Sequence, residues 1–227
     1  MSGMTETIIT VQGHHAAWYP AERATVSIAV RCDGPERDAV FDEATAAADA
    51  ARATIVARHD AAAGPITWWS ADSVRVWSER PWNDQGAQLA PVHYAALDLS
   101  AKFSDFDELP RWIEAVVAIN GATVSRIRWQ LTQTTATAVT AEVRSRAVKD
   151  AVAKAAVYAQ SIGLGAVTAT AIADPGMLGD GNTGGGAPYG VEQAMMKSFD
   201  VDSAPTLALK PEQIEVSASV DARFVAR

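Results

Sequence analysis

The sequence predicts an α+β protein: an antiparallel or mixed sheet with three main helices, built on a split βαβ-like core plus a C-terminal helix and strands. Three observations carry this. Segments with apolar residues at every second position alternate with alanine-rich segments of helical period. Gly, Pro, Asn and Asp fall between them, where turns are needed. From residue 24 to 134 the order reads strand, helix, strand, strand, helix, strand. One sheet with helices on one face satisfies that order, and with no linker before residue 174 the expectation is one domain over residues 1–227.

Ile9 and Val11 lead into Gly13, and Val26, Ile28 and Val30 then alternate with Thr25, Ser27 and Arg31. Two strand pieces are expected, with Gly13 and Pro20 marking a bend or bulge between them. Asp33-Gly34-Pro35 stops the strand and opens a helix over residues 36–63. That helix puts Val40, Phe41, Ala44, Ala48, Ala51 and Ile55 on its inner face and closes at Gly64-Pro65. Strands over 66–80 and 92–103 follow, joined by a loop too long for a tight hairpin.

A second helix starts with Asp107 as its N-cap and Pro110 in the tolerated first turn, buries Trp112, Ile113, Val116 and Val117, and ends at Asn120-Gly121. A strand over 124–134 comes next, apolar at Ile127, Trp129 and Leu131. The third helix, over 141–162, has Val148, Val152, Ala155, Ala159 and Ile162 on one face, and Gly163-Leu164 suits a Schellman end. After a strand over 166–173, residues 174–211 form an irregular Gly-rich loop without sustained periodicity. The last strand is the clearest, with Ile214, Val216, Ala218, Val220, Ala222 and Phe224 facing one way.

The charge balance is 27 acidic against 19 basic residues, a formal −8, with no compact Lys/Arg run, so nucleic acid is not an expected partner. Cys32 is the only cysteine and forms no intrachain disulfide. The first residues lack a basic and apolar leader, and no apolar run reaches the ~18 residues of a membrane span. The expectation is a cytoplasmic protein.

No cofactor or metal is expected. His14-His15 are adjacent on a strand and point to opposite faces, while His59, on the first helix, and His93, on a strand, sit in no ligand spacing. Cys32 lies between Arg31 and Asp33, whose charges cancel, and no Gly-x-Ser-x-Gly or Ser-x-x-Lys motif occurs. The Gly-rich run 179–186 is followed by Ala-Pro-Tyr-Gly and lacks the helix start a phosphate loop needs. Asp105, Asp107 and Glu108 read as a helix-start cluster. The residues with a ligand or interface character are Trp68, Trp69 and Trp82 near strand ends, and Met195, Met196 and Phe199 in the Gly-rich segment.

From about Ile8 to Phe224 the sequence resembles the SIMPL-domain family, whose members include periplasmic and outer-membrane immunogenic proteins. The resemblance is carried by Ala147-Val148-Lys149-Asp150-Ala151-Val152-Ala153-Lys154-Ala155 running through Tyr158-Ala159 to Ile162-Gly163-Leu164-Gly165, and by the strand that follows with Val167 and Ile172. Also similar are Ile9-Thr10-Val11-Gln12-Gly13, Tyr94-Ala95-Ala96, Asn120-Gly121-Ala122 and the closing strand from Pro211 to Phe224. It implies a mixed α/β fold and self-assembly into ring-like oligomers, with no catalytic residues to carry over. Typical members start with a signal peptide, which is not seen here, and their opening motif continues with a Gly and later a Pro-Asp pair where this chain has His14-His15 and Pro20-Ala21-Glu22. The functional expectation is a non-enzymatic homo-oligomeric assembly or partner-binding protein; the alternative is a small-molecule-binding protein using an aromatic cleft at the three tryptophans.

Overall fold

The computed structural model describes residues 6–178 and 209–227. Eight strands and three helices are present among them: β1 (Thr7–Pro20), β2 (Arg23–Gly34), α1 (Arg37–Val56), β3 (Ile66–Ala71), β4 (Arg75–Glu79), β5 (Val92–Phe103), α2 (Glu108–Val117), β6 (Ala122–Gln130), α3 (Gln133–Ser161), β7 (Val167–Ala173) and β8 (Gln213–Ala226). The α+β class holds, but the strands form two sheets where one was expected. One is three-stranded, in the order β1-β8-β7; the other runs β3-β5-β2-β6, with β4 also paired to β5. Although β1 and β2 are consecutive, they enter different sheets, and period-two alternation has no means of naming a strand's partner.

The chain's contacts group into two compact units. The first contains, of the described residues, 6–19, 132–178 and 213–227. Here α3 covers one face of the three-stranded sheet, and Ile9, Val11, Val220, Ala222, Phe224 and Ala226 pack on an alanine row of the helix. The row is Ala147, Ala151, Ala155 and Ala159; the last two belong to the expected face, whereas Ala147 and Ala151 stand in for Val148 and Val152, and Val152 is 41% and Ile162 58% exposed. Hydropathy ranks Val above Ala and so selects Val148 and Val152 over Ala147 and Ala151. Backbone proximity selects the alanines, because a Cβ on Gly13 would lie 2.1 Å from the Ala147 carbonyl oxygen and 2.8 Å from the Ala151 Cβ. Gly13 is therefore a contact glycine within a continuous strand, not a bend.

The helix also begins eight residues earlier than its expected start. Thr132 caps it, its hydroxyl accepting the Thr135 N–H at 3.3 Å, and the hydroxyls of Thr137 and Thr140 donate to the carbonyls of Gln133 and Ala136 one turn back. Those bonds admit β-branched residues that read as strand in the sequence. At the other end the Schellman pattern is present: Leu164 N–H reaches the Ala159 carbonyl at 2.8 Å, Gly163 N–H reaches Gln160 at 3.0 Å, and Gly163 has φ +76°.

The second unit contains residues 20–131 and, of the described residues, 209–212. It follows the split βαβ plan. Antiparallel registers place Val26 opposite Ala101 and Ile127, and Ala24 opposite Phe103 and Trp129, so one face of the sheet is apolar. α1 and α2 contribute Ala47, Ala51, Ile55, Leu109, Trp112, Ile113 and Val116 to that core. Trp112 is fully buried; its ring centroid lies 4.8 Å from that of Phe103 and its Nε1–H donates to Thr54 Oγ1 at 3.0 Å.

Five local expectations change here, the first being Val117, expected inside on α2 but 58% exposed at the end of that helix. Residues 57–63 leave the helix: the Asp60 carboxylate accepts the N–H groups of Ala62 and Ala63, which holds it below the usual carboxylate range and ties a turn, and His59 bridges to Ile66. Phe41 is 43% exposed, Ala47 taking the inner place. The strand expected over 66–80 breaks into β3 and β4, both on β5. The α2 start is capped by Asp105, which accepts the Asp107 and Glu108 N–H groups at 2.9 and 3.4 Å, while Asp107 itself is helical and caps nothing.

Candidate functional site

His14, Asp150 and Asp221 of the first unit make their contacts at β1. Gln12 C=O and His14 N–H are two residues apart on a strand and so point to the same side. Lys154 Nζ donates to the first at 3.0 Å and the Asp150 carboxylate accepts the second at 2.8 Å, while Lys154 and Asp150, one turn apart on α3, pair at 2.7 Å. Lys154 and the His14 amide hold the Asp150 carboxyl below its ordinary range. This ion pair takes up backbone groups of β1 that another strand would otherwise bond. The His14 ring meets Ser219 Oγ at 3.1 Å, and Gln12 Nε2 donates to Asp221, which also accepts the Gly176 N–H. Asp150 receives the amide of His14 and not its ring, so no relay from carboxylate through imidazole to hydroxyl exists. Chemically the cluster is a clamp of helix on strand. The motif residues Gln12, Asp150 and Lys154 meet in this clamp.

The remaining polar candidates are separated. His93 Nδ1 meets Ser78 Oγ at 2.6 Å on paired strands, and His59 stands in the turn after α1. The Cys32 thiol is buried, and burial first, then Glu43 and Asp33, pushes its pKa up, the opposite of what a nucleophile needs. Among the described residues no group of three metal-ligating side chains occurs.

The tryptophans divide between the two faces of the five-stranded sheet. Trp69 lies opposite Ala101 on the core side, and with Asp49, Arg52, Ala53 and Val56 it lines a depression of about 450 Å3. Trp68 lies opposite Lys102 on the other face, 47% exposed, with the Lys102 ammonium 5.5 Å from its ring centroid. Trp82 is 67% exposed in the loop before β5. Adjacent strand positions face opposite ways, so Trp68 and Trp69 line no common cleft. Met195, Met196, Phe199 and most of the Gly-rich stretch lie outside the described residues.

What the face of Trp68 does hold went unseen in the sequence. Trp77 is 42% exposed and stacks on Tyr94, centroids 5.4 Å apart and planes 16° apart. Asp98 pairs with both Arg75 at 3.0 Å and Arg31 at 3.8 Å, over Ala29 and Ala96, which are buried beneath. No helix of α1 or α2 covers this side, since both pack on the core residues of the opposite face. The alternation of β2 and β5 carried the signal: Thr25, Ser27 and Arg31 on one and Asp98, Ser100 and Lys102 on the other take the outward positions. This face is open and bears aromatic rings beside charges.

The family model described as SIMPL, protein of unknown function (DUF541), matches residues 9–224. None of the curated proteins compared matches the chain. No helix among the described residues is long and apolar enough to cross a membrane.

Proposed function

We propose, on the premise that the chain belongs to the SIMPL family, that it is a non-enzymatic protein of homo-oligomeric assembly or partner binding. The observation that carries this is the C-terminal half of α3 and its cap, where Val152, Val157, Tyr158 and Ile162 are 41–58% exposed. Large apolar side chains gathered in one short segment favour coverage by a second surface. The self-assembly that the family resemblance implies supports the same reading, with a second copy as the covering surface. The same reading has the chain act in the cytoplasm as an acidic protein with a single buried thiol, which fractionation of cells with a compartment marker checks.

Size-exclusion chromatography with light scattering at micromolar concentration tests the assembly. The expected species is a multiple of 24.0 kDa, and Val157→Glu with Ile162→Glu shifts it toward the protomer. A strictly 24.0 kDa species at all concentrations overturns it. The aromatic-cleft alternative has less support, since Trp68 and Trp69 diverge across the sheet.

A further inference from the structure

The outward face of the five-stranded sheet concentrates positive charge in a chain of net −8. Two neighbouring rungs can be read from the registers. One runs Trp68–Lys102–Thr25–Arg128 across β3, β5, β2 and β6; the next runs Ser70–Ser100–Ser27–Arg126. Neither carries a carboxylate. Arg126 and Arg128 are exposed and have no ion pair among the described residues, and the Lys102 ammonium lies over the Trp68 ring instead of against an acid. At about 4.8 Å between strands, Lys102 and Arg128 stand about 10 Å apart with the Thr25 position between them. The nearest acid along β5 on this face, Asp98, is already held by Arg31 and Arg75. Lys102 lies more than twenty positions from Arg126 in the chain, so the cluster exists only once β2 has paired with both β5 and β6.

We propose that these two rungs bind single-stranded nucleic acid. The face is a sheet surface without walls, which fits an extended ligand better than a small one that needs enclosure. Three cations without acidic partners among the described residues favour a polyanion by charge complementarity. Hydroxyls at Ser27 and Ser100 can donate to phosphate and sugar oxygens lying between the cations, while that of Thr25 is taken up by Gln130 Oε1. The discriminating feature is Trp68, an exposed ring on the same rung as Lys102 and Arg128, which offers a base a stacking surface; strand-like recognition by aromatic-bearing sheets works in this way. This names a partner for the binding reading above and does not need self-assembly: a 24.0 kDa monomer that binds would remove the assembly and keep this site.

Fluorescence anisotropy of a labelled oligo(dT) of about 16 nucleotides with the full chain tests it. Binding should weaken about tenfold or more between about 50 and about 200 mM salt. Arg126→Ala with Arg128→Ala should lower the slope of log affinity against log salt by about 1.4, and Trp68→Ala should cost about fivefold or more in affinity. All three positions are solvent-exposed, and circular dichroism confirms that the variants fold. A control pair on α1, Arg37→Ala with Arg52→Ala, should leave binding as it is. Absence of binding at low salt overturns the proposal. So does oligo(dT) binding that Trp68→Ala leaves unchanged while heparin competes as well as oligonucleotide, because charge alone would then account for it.

Discussion

Gly13 on β1 and Ala151 on α3 lie so close that a Cβ on the glycine would stand 2.7 Å from the Ala151 nitrogen and 2.8 Å from its Cβ. Strand and helix backbones touch there, and the clamp of Asp150 and Lys154 on the flanking residues keeps them together. Gly13→Ala forces them apart. The expected loss is about 3 kcal/mol, an overpacking cost against backbone that has no rotamer to yield. Urea unfolding of the variant measures it, and a loss under about 1 kcal/mol would mean that the strand shifts freely.

Trp112 has its indole N–H in the core with Thr54 Oγ1 as acceptor, while that hydroxyl donates to the Ala51 carbonyl at 2.7 Å. Thr54→Val keeps the shape and orphans the indole, for an expected cost of about 2 kcal/mol. Pairing it with Trp112→Phe removes the orphan too. A double-mutant cycle by thermal unfolding should give a coupling of about 1 kcal/mol; strict additivity would show the bond to be dispensable.

Asp150 is the group whose titration should register in stability. Its folded pKa lies below the ordinary aspartate range, owing first to the Lys154 ammonium and then to the His14 amide. A depressed carboxylate contributes stability above its unfolded pKa and loses it as pH falls through the lower folded value. Asp150→Asn should therefore lower the Tm by a constant amount from about pH 5 to about pH 8, and the gap should close below about pH 4. Added salt should narrow it as well, since the pair is exposed. A gap that widens on acidification contradicts the arrangement.

At the start of α2, Asp105→Ala should cost about 1 kcal/mol through two unpaired amides, whereas Asp107→Ala should stay within about 0.5 kcal/mol. Equal losses would return the cap to Asp107.

Cys32 should react with a thiol reagent at pH 8 far more slowly than a free cysteine, and reach the free rate only in denaturant, because burial and two nearby carboxylates oppose its thiolate. A native rate equal to that of a model thiol would place the side chain at the surface.

Strands that alternate cleanly were readable before any coordinates: β5 spans the expected residues 92–103, and β8 turns the expected residues Val220, Ala222 and Phe224 inward. The slip in the β6 pattern, apolar at Val124 and then at Ile127, has its cause in a bulge where the register with β2 shifts between Ser27 and Ile28. The site was less legible. Trp68 and Trp69 drew attention as bulky neighbours, but which face each meets depends on β5, thirty residues further on.

The sequence by itself determined the α+β class, the split βαβ order, the Schellman end at Gly163 and the family, because these rest on local periodicity, turn chemistry and motif order. Only tertiary structure decided that the strands divide into two sheets, that α3 buries Ala147 and Ala151 in place of Val148 and Val152, and that Lys102, Arg126 and Arg128 share one face. The physical reason is common to all three. Each depends on which distant backbone lies alongside, and strand pairing and close approach are set by contacts between residues far apart in the chain, which no local pattern encodes.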